Sequence, residues 1–318
     1  MAKALLITGA TGKQGGAVID ALLDPNVTSP EFTILAVTRD ASSTGAAKLA
    51  ARSPRIKLVE GNLDHVPALF ESAHRVNAEG PIWGVYSVQV SMGPGVTIES
   101  EVSQGKALID CAIGAGVRHF VYSSVERGGD AASWDNPTPI PHFQSKYHIE
   151  RHLREVTAPE QRGASMGWTI LRPVAFMDNL APGFPTKVFL AALRNHLQRE
   201  EREQKSLQWV ATADIGTFAA KAFANPNQWD RRAVGLAGDE LTIDQLNESF
   251  VKATGQPAPF TYGVFGSALT YMVSEMGLMV AWFASDGYRA DIQARRKEHR
   301  DMLTMEGWLK TKSGFKNE

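Results

Sequence analysis

Residues 3–23 read KALLITGATGKQGGAVIDALL. An apolar, strand-like run over 3–8 passes directly into Gly9, Gly12, Gly15 and Gly16, and an apolar, helix-like run over 14–23 follows. Glycines at a strand-to-helix crossover let the backbone turn tightly and come close to a bound group. The helix start beyond them offers unpartnered N–H groups and the positive end of the helix dipole, both of which attract phosphate. The spacing is G-x-x-G-x-x-G, one residue longer in its first step than the dinucleotide fingerprint G-x-G-x-x-G. The G-K-[ST] ending of a triphosphate loop is missing. The stretch therefore points to a pyrophosphate site, the bland alternative being a tight turn that holds nothing.

Outward from this turn, two kinds of segment alternate. Strands are expected at 33–38, 56–60, 82–87, 119–123 and 168–172, and helices at 44–52, 65–78, 99–115 and 143–157. This order predicts an α/β fold built on a doubly wound parallel Rossmann sheet. Unbroken apolar strands such as HFVYS (119–123) suit a sheet covered on both faces. Beyond Arg172 the pattern loosens. RPVAFMDNLAPGFP (172–185) is rich in turn residues, and the densely charged 194–205 is expected to be a solvated helix face or a loop. Residues 207–224 read as strand, turn and helix, and 231–255 as a strand and then a helix. Thr242 and Gln245 predict a capping box for that helix and Gly255 its end. The expected domains are an NAD(P)-binding Rossmann domain, 1–172, completed by segments around 206–240, and a smaller, mainly helical C-terminal lobe, 173–318, interleaved with it.

Composition narrows the function. The 318 residues carry a formal net charge of -1, which gives no electrostatic reason to expect nucleic acid or an anionic membrane as partner. The single cysteine, Cys111, excludes an internal disulfide and a cysteine zinc site, and is read as a small buried thiol. His148 and His152 lie four apart in a helix-like run, but no third ligand accompanies them, so no metal site is expected. With a strand-like run almost at once, no signal peptide is expected, and a cytoplasmic protein is expected, or a nuclear one if it regulates. ALTYMVSEMGLMVAWFA (268–284) is interrupted by Ser274 and Glu275 and is marginally short for a membrane span, so it reads as a buried helix or a pocket wall.

The second strand ends in AVTRD (36–40). An acid at this position bonds the ribose 2′-hydroxyl of NAD, whereas an arginine accommodates the 2′-phosphate of NADP. Arg39 comes first and can clasp a phosphate with two N–H groups and stack on adenine, so NADP is favoured. Asp40 keeps NAD open.

TGATGKQGG, VTRD and VEGNLD together resemble the atypical short-chain dehydrogenases of the NmrA-like type. So do GKALIDCAIGAGVRHFVYSSV, HFQSKYHIERHL, TILRPVAFMDNL, ATADIGTFAAKAF and MLTMEGWLK, which extend the likeness over almost the whole chain. The resemblance implies a Rossmann domain with a smaller C-terminal lobe. It also implies one of two roles. One is an NADPH-dependent reductase, as among relatives of the plant isoflavone reductases. The other is a catalytically weak NADP(H) sensor that binds a regulatory protein partner, as in a fungal nitrogen-repression regulator and a human redox sensor. Residue by residue, it implies Gly9, Thr11, Gly12, Gln14 and Gly15 at the pyrophosphate and Arg39 at the 2′-phosphate. Asn62 and Leu63 would lie beside adenine, and Ser87 to Gln89 would flank the ribose. Lys106 and Lys146 match lysines near the cofactor. Val174 and Phe176 would line the nicotinamide end, with Asn179 close by. The loop SVQVSMGPG departs from the sensors in being short and glycine-rich.

Short-chain dehydrogenases of the usual kind use Ser, Tyr and Lys, the last two as Y-x-x-x-K on one helix face. There the lysine lowers the tyrosine pKa and holds the nicotinamide ribose. Here the lysine is Lys146, and the residue four before it is His142. Tyr147 cannot take the vacant role, because adjacent helix residues point about 100° apart. His142 could donate a proton near neutral pH, or simply start the helix after PTPIP. Lys146 could be the acid or hold the ribose and a substrate carbonyl, or be a solvated helix lysine. Ser124 occupies the place of the usual serine, with Ser123 as its neighbour, although serines also end strands as turn formers. The candidate catalytic set is thus Lys146, His142 and Ser124, acting on a small apolar metabolite. Hydride transfer to an already electrophilic carbon needs orientation more than acid–base machinery, so the missing tyrosine does not exclude an enzyme.

Overall fold

The computed structural model describes residues 2–28, 31–78, 80–93, 95–198 and 204–315. Residues 199–203 of the charged segment therefore lie outside the described residues. The chain divides into two compact units. The first comprises Met1–Ser124, Gln144–Arg172 and Ile215–Val234, and the second Val125–Phe143, Pro173–Asp214 and Gly235–Glu318. Residues 125–143, expected with the dinucleotide-binding domain, thus group with the second unit.

In chain order the elements are β1 (Lys3–Ile7), α1 (Lys13–Leu23), β2 (Phe32–Thr38), α2 (Thr44–Ala50), β3 (Ile56–Glu60), α3 (Val66–Val76), β4 (Ile82–Ser87), α4 (Ile98–Gly114), β5 (His119–Ser123), α5 (Pro141–Val156) and β6 (Gly167–Pro173). There follow β7 (Ala175–Phe176), α6 (Phe184–Leu197), β8 (Leu207–Val210), α7 (Thr212–Ala224), α8 (Pro226–Trp229), β9 (Arg232–Leu236), β10 (Asp239–Leu241), α9 (Ile243–Thr254), α10 (Gly263–Met272), α11 (Ser274–Ser285), α12 (Ile292–Glu298) and α13 (Met305–Thr311).

The larger sheet runs β3-β2-β1-β4-β5-β6-β9 and is flanked by helices. Its pairings from β3 to β6 are parallel, with Leu5 opposite Ile34 and Tyr86 opposite Val121 as examples of the register. The strand order reverses between β1 and β4. In a doubly wound sheet this reversal opens a crevice at the carboxyl ends of the strands, where ligands bind. Every residue of β5 is buried, as a central strand covered on both faces requires. Sharp helix starts follow from the sequence: Ser43 caps α2, and Thr97 with Ser100 forms a capping box on α4.

His119 lies in this first core, with its ring stacked near Trp83 and its Nε2 3.0 Å from Thr169 Oγ1. The Thr169 hydroxyl donates its one proton to Trp229 O at 2.8 Å, so Nε2 of His119 carries the proton of their contact. Burial pushes His119 down to about 4, with Asp230 opposing and Lys3 assisting. The unfolded chain, with the ordinary histidine pKa near 6.5, takes up a proton the folded protein refuses. Stability is therefore full above about pH 6.5 and falls by up to about 3 kcal/mol as the pH drops towards 4. Urea unfolding across this range should show that loss, and His119→Gln should flatten it.

The second unit holds a three-stranded sheet, β10-β8-β7, with β8 antiparallel to β10 and parallel to β7. Its core gathers Phe143, Leu193, Trp209, Phe250, Trp282 and Trp308. The capping box of Thr242 and Gln245 is present on α9, and Gly255 closes that helix at a left-handed φ of 75°. Thr242→Ala should cost about 1 kcal/mol in thermal unfolding. The apolar stretch 268–284 is only half buried. Val280, Trp282 and Phe283 are core residues, but Tyr271 and Met272 are 90% and 79% exposed. The chain breaks at Val273, where α10 and α11 meet at 116°. Among the described residues no single helix is long and apolar enough to cross a membrane, although this bent pair has the length and composition.

Candidate dinucleotide site

The reversal of strand order places the loops after β1 and β4 side by side. Thr8 ties them: its hydroxyl lies 3.1 Å from Tyr86 O and 3.0 Å from Val88 O, and it accepts from Val88 N at 2.8 Å. The glycine turn is closed by Gly12 N donating to Gly9 O at 2.9 Å, with Gly9 at a left-handed φ of 60°. Gly12 is the N-cap of α1 and supplies no side-chain cap, and the first turn carries no acid. The first N–H groups of the helix thus meet no competing carboxylate. Gly15 is buried, and a Cβ there would stand 2.3 Å from Gly9 O and 2.6 Å from Thr8 O. Only glycine lets α1 approach β1 this closely. Thr11 is exposed beside the turn. Gln14 turns its side chain inward, accepting from Ser123 Oγ at 2.6 Å.

At the end of β2, Arg39 and Asp40 part company. Asp40 accepts from Ser42 N at 2.8 Å and Ser42 Oγ at 2.6 Å, and these bonds hold its carboxyl below the usual range. Arg39 is exposed and makes no hydrogen bond or ion pair among the described residues. Asn62 is exposed and bonds Asp64, which also accepts from Gln104 Nε2 at 2.7 Å; Leu63 is half-buried beside it. After β4, Ser87 is fully buried and accepts from Gln89 Nε2 at 2.9 Å. Gln89 Oε1 is buried with no hydrogen-bond partner among the described residues. An orphaned buried acceptor invites a donor such as a ribose hydroxyl. The uncapped helix, the Gly15 cradle and this acceptor together suit a dinucleotide.

Lys106 is half-buried on α4. Lys146, on α5, is not a solvated lysine: its side chain is 7% exposed, and Nζ lies 2.6 Å from Glu101 Oε1. Ser124 gives its hydroxyl proton to Glu150. Glu150 in turn receives Arg172 Nε at 3.1 Å and a second guanidinium nitrogen at 2.7 Å. Arg172 and Glu150 are fully buried, so Ser124 belongs to an interior ion-pair network. Of the remaining histidines, His148 is exposed and His152 pairs with Asp110 at 2.8 Å. Cys111 is half-buried rather than buried, and that burial raises its thiol pKa, with Asp110 adding to it.

The other candidates belong to the second unit. His142 Nδ1 lies 2.6 Å from Glu275 Oε1, which also accepts the His142 backbone N–H at 3.1 Å. Val174 is buried, Phe176 half-buried in β7, and Asn179 exposed. A cavity of about 400 Å³ runs along α11, lined by Pro139, Leu278, Ala281, Trp282 and Ala284, with Ser285 and Asp286. The expected pocket wall is thus the second half of the apolar stretch.

Sequence spacing missed the acids that hold these groups, Glu101, Glu150 and Glu275. A signal was present for two of them. Glu101 lies on the α4 stripe with Gly105, Leu108 and Ala112, and Glu150 lies beside Ile149 and Leu153 on α5. A carboxylate inside an apolar stripe needs a buried partner.

Known proteins support the fold and give the family. The profile of the NmrA-like family matches residues 1–309. The NmrA-like family domain-containing oxidoreductase FrzB of Cladobotryum sp is 26% identical over 273 residues, covering 79% of this chain and 74% of that protein. The negative transcriptional regulator NmrA, solved in complex with NADP, superposes with a TM-score of 0.65 at 17% identity, covering 98% of this chain and 95% of that one. It has also been solved with NAD. The NADPH-dependent quinone oxidoreductase QOR2 of Escherichia coli, complexed with NADPH, gives a TM-score of 0.67 at 19% identity, covering 96% and 98%. With the family pattern running from the first strand to the last helix, this chain belongs to the NmrA-like family.

Proposed function

We propose that this chain is an NADP-binding oxidoreductase that uses NADPH to reduce a small apolar metabolite. The observation that carries the reading is the division of labour after β2: among the described residues Arg39 is left without a partner while Asp40 is engaged by Ser42. A 2′-phosphate finds a guanidinium there, and the acid that would select NAD is occupied. The oxidoreductase name of FrzB and the NADPH bound to QOR2 support the reading. Gly9, Thr11, Gly12, Gln14 and Gly15 would hold the pyrophosphate, Asn62 and Leu63 would lie beside the adenine, Gln89 would flank the ribose, and Lys106 and Lys146 would lie near the cofactor. The cofactor, when bound, supplies a hydride. The chain's own residues orient it and hold protons: His142 keeps its Nδ1 against Glu275, and Lys146 its ammonium against Glu101. The largely apolar lining of the cavity along α11 suits an apolar substrate.

A second reading, an NADP(H) sensor that binds a protein partner, draws on one observation. The tyrosine of the usual relay is replaced by His142, and His142, Lys146 and Ser124 are each engaged by a carboxylate. Purified protein incubated with NADPH and a panel of carbonyl, imine and enone compounds separates the two. Consumption of NADPH with a panel member is expected. No turnover, together with partner affinity that follows the NADP redox state, would favour the sensor. Arg39→Ala should weaken NADP binding by about tenfold to a hundredfold and leave NAD nearly unchanged, and equal losses would refute the 2′-phosphate role.

A further inference from the structure

Glu101 is a buried carboxylate, 1% exposed, on which three segments of the first unit converge. Its Oε1 accepts from Ser91 Oγ at 2.9 Å and from Lys146 Nζ at 2.6 Å, and its Oε2 accepts from the Ser145 hydroxyl. Ser91 belongs to the loop after β4 that also carries Gln89, Glu101 to α4, and Ser145 and Lys146 to α5. The helices meet closely because Gly105, one turn on from Glu101, has no side chain: a Cβ there would stand 2.4 Å from Ile149 Cδ1. Shielded from water, a charge-assisted bond fixes the direction of a flexible lysine stem as a surface pair cannot. A lysine ammonium has three donors, of which Glu101 engages one and leaves two for a ligand.

We infer that Glu101 is a positioning residue: it holds Lys146 Nζ where the lysine meets the nicotinamide ribose of the dinucleotide, in a site that lacks the tyrosine. The inference rests on the NADP-binding reading above and adds to it a residue that touches no cofactor atom itself. Its buried charge orients the group that does.

Calorimetric titration of NADP⁺ and of 2′,5′-ADP, a fragment without the nicotinamide ribose, tests this on wild type, Lys146→Met, Glu101→Gln and the double variant. Each single substitution should weaken NADP⁺ by about tenfold or more, the worth of one charge-assisted hydrogen bond. The double variant should be no weaker than Lys146→Met, and 2′,5′-ADP should bind all four alike. Glu101→Asp, which keeps the charge, should fold and recover part of the affinity if Glu101→Gln does not fold. Wild-type NADP⁺ affinity in Glu101→Gln or in Lys146→Met would overturn the inference. So would additive losses, or equal losses for NADP⁺ and the fragment, which mark general damage. Failure of wild type to bind either compound would instead bring down the NADP reading and the inference with it.

Discussion

Gly15→Ala is expected to lower NADP(H) affinity by about a hundredfold. The added Cβ would lie 2.3 Å from Gly9 O, 2.5 Å from Gly9 C and 2.6 Å from Thr8 O. All three are backbone atoms, so no side chain can rotate out of the way. Either α1 tilts off β1 or the turn between them opens, and in both cases the N–H groups of the first helical turn leave the phosphate position. Overpacking of this kind also destabilises, by about 1–3 kcal/mol. Titration calorimetry and urea unfolding on the same preparation separate the two effects, since a folded variant without affinity is the expected product. Gly15→Ala with wild-type affinity would mean that the glycine turn does not receive the pyrophosphate.

The second large effect concerns stability. Arg172 and Glu150 are an interior pair at 0% and 1% side-chain exposure, joined by two bonds and supplemented by the Ser124 hydroxyl. Arg172→Met leaves the Glu150 carboxylate buried without its guanidinium, and removing one partner of such a pair costs about 3–5 kcal/mol. Glu150→Leu combined with Arg172→Met removes both charges and should restore most of that loss, because a buried pair exchanged for apolar side chains is near neutral. Ser124→Ala should cost far less, about 1 kcal/mol, since Arg172 still satisfies the carboxylate. Denaturant midpoints of the three variants check the order. A loss below about 1 kcal/mol for Arg172→Met would show that water reaches the pair.

Much of this was legible in the chain because it is written in local pattern. The apolar strands and glycine turn of the first unit announce β1 to β6 within a residue or two, and Thr242, Gln245 and Gly255 announce α9. The short β10, three residues with two acids, was not legible, because its strand character comes from pairing with β8. Candidate residues were legible where one residue type suffices, as with the tightly packed Gly15 or the exposed Arg39. Contacts between distant residues were not legible: Glu101 lies 45 residues before Lys146, Glu275 lies 133 residues after His142, and no spacing rule joins them. The inward turn of Gln14 onto Ser123 likewise appears only once β5 and α1 are packed.

The most direct measurement is a titration of NADPH and NADH into the purified wild-type protein under one set of conditions. Binding of NADPH at least about tenfold tighter than NADH is expected, as the Arg39 guanidinium gains a 2′-phosphate that NADH lacks. Equal affinities, or no binding of either, would contradict the assignment of this site to NADP.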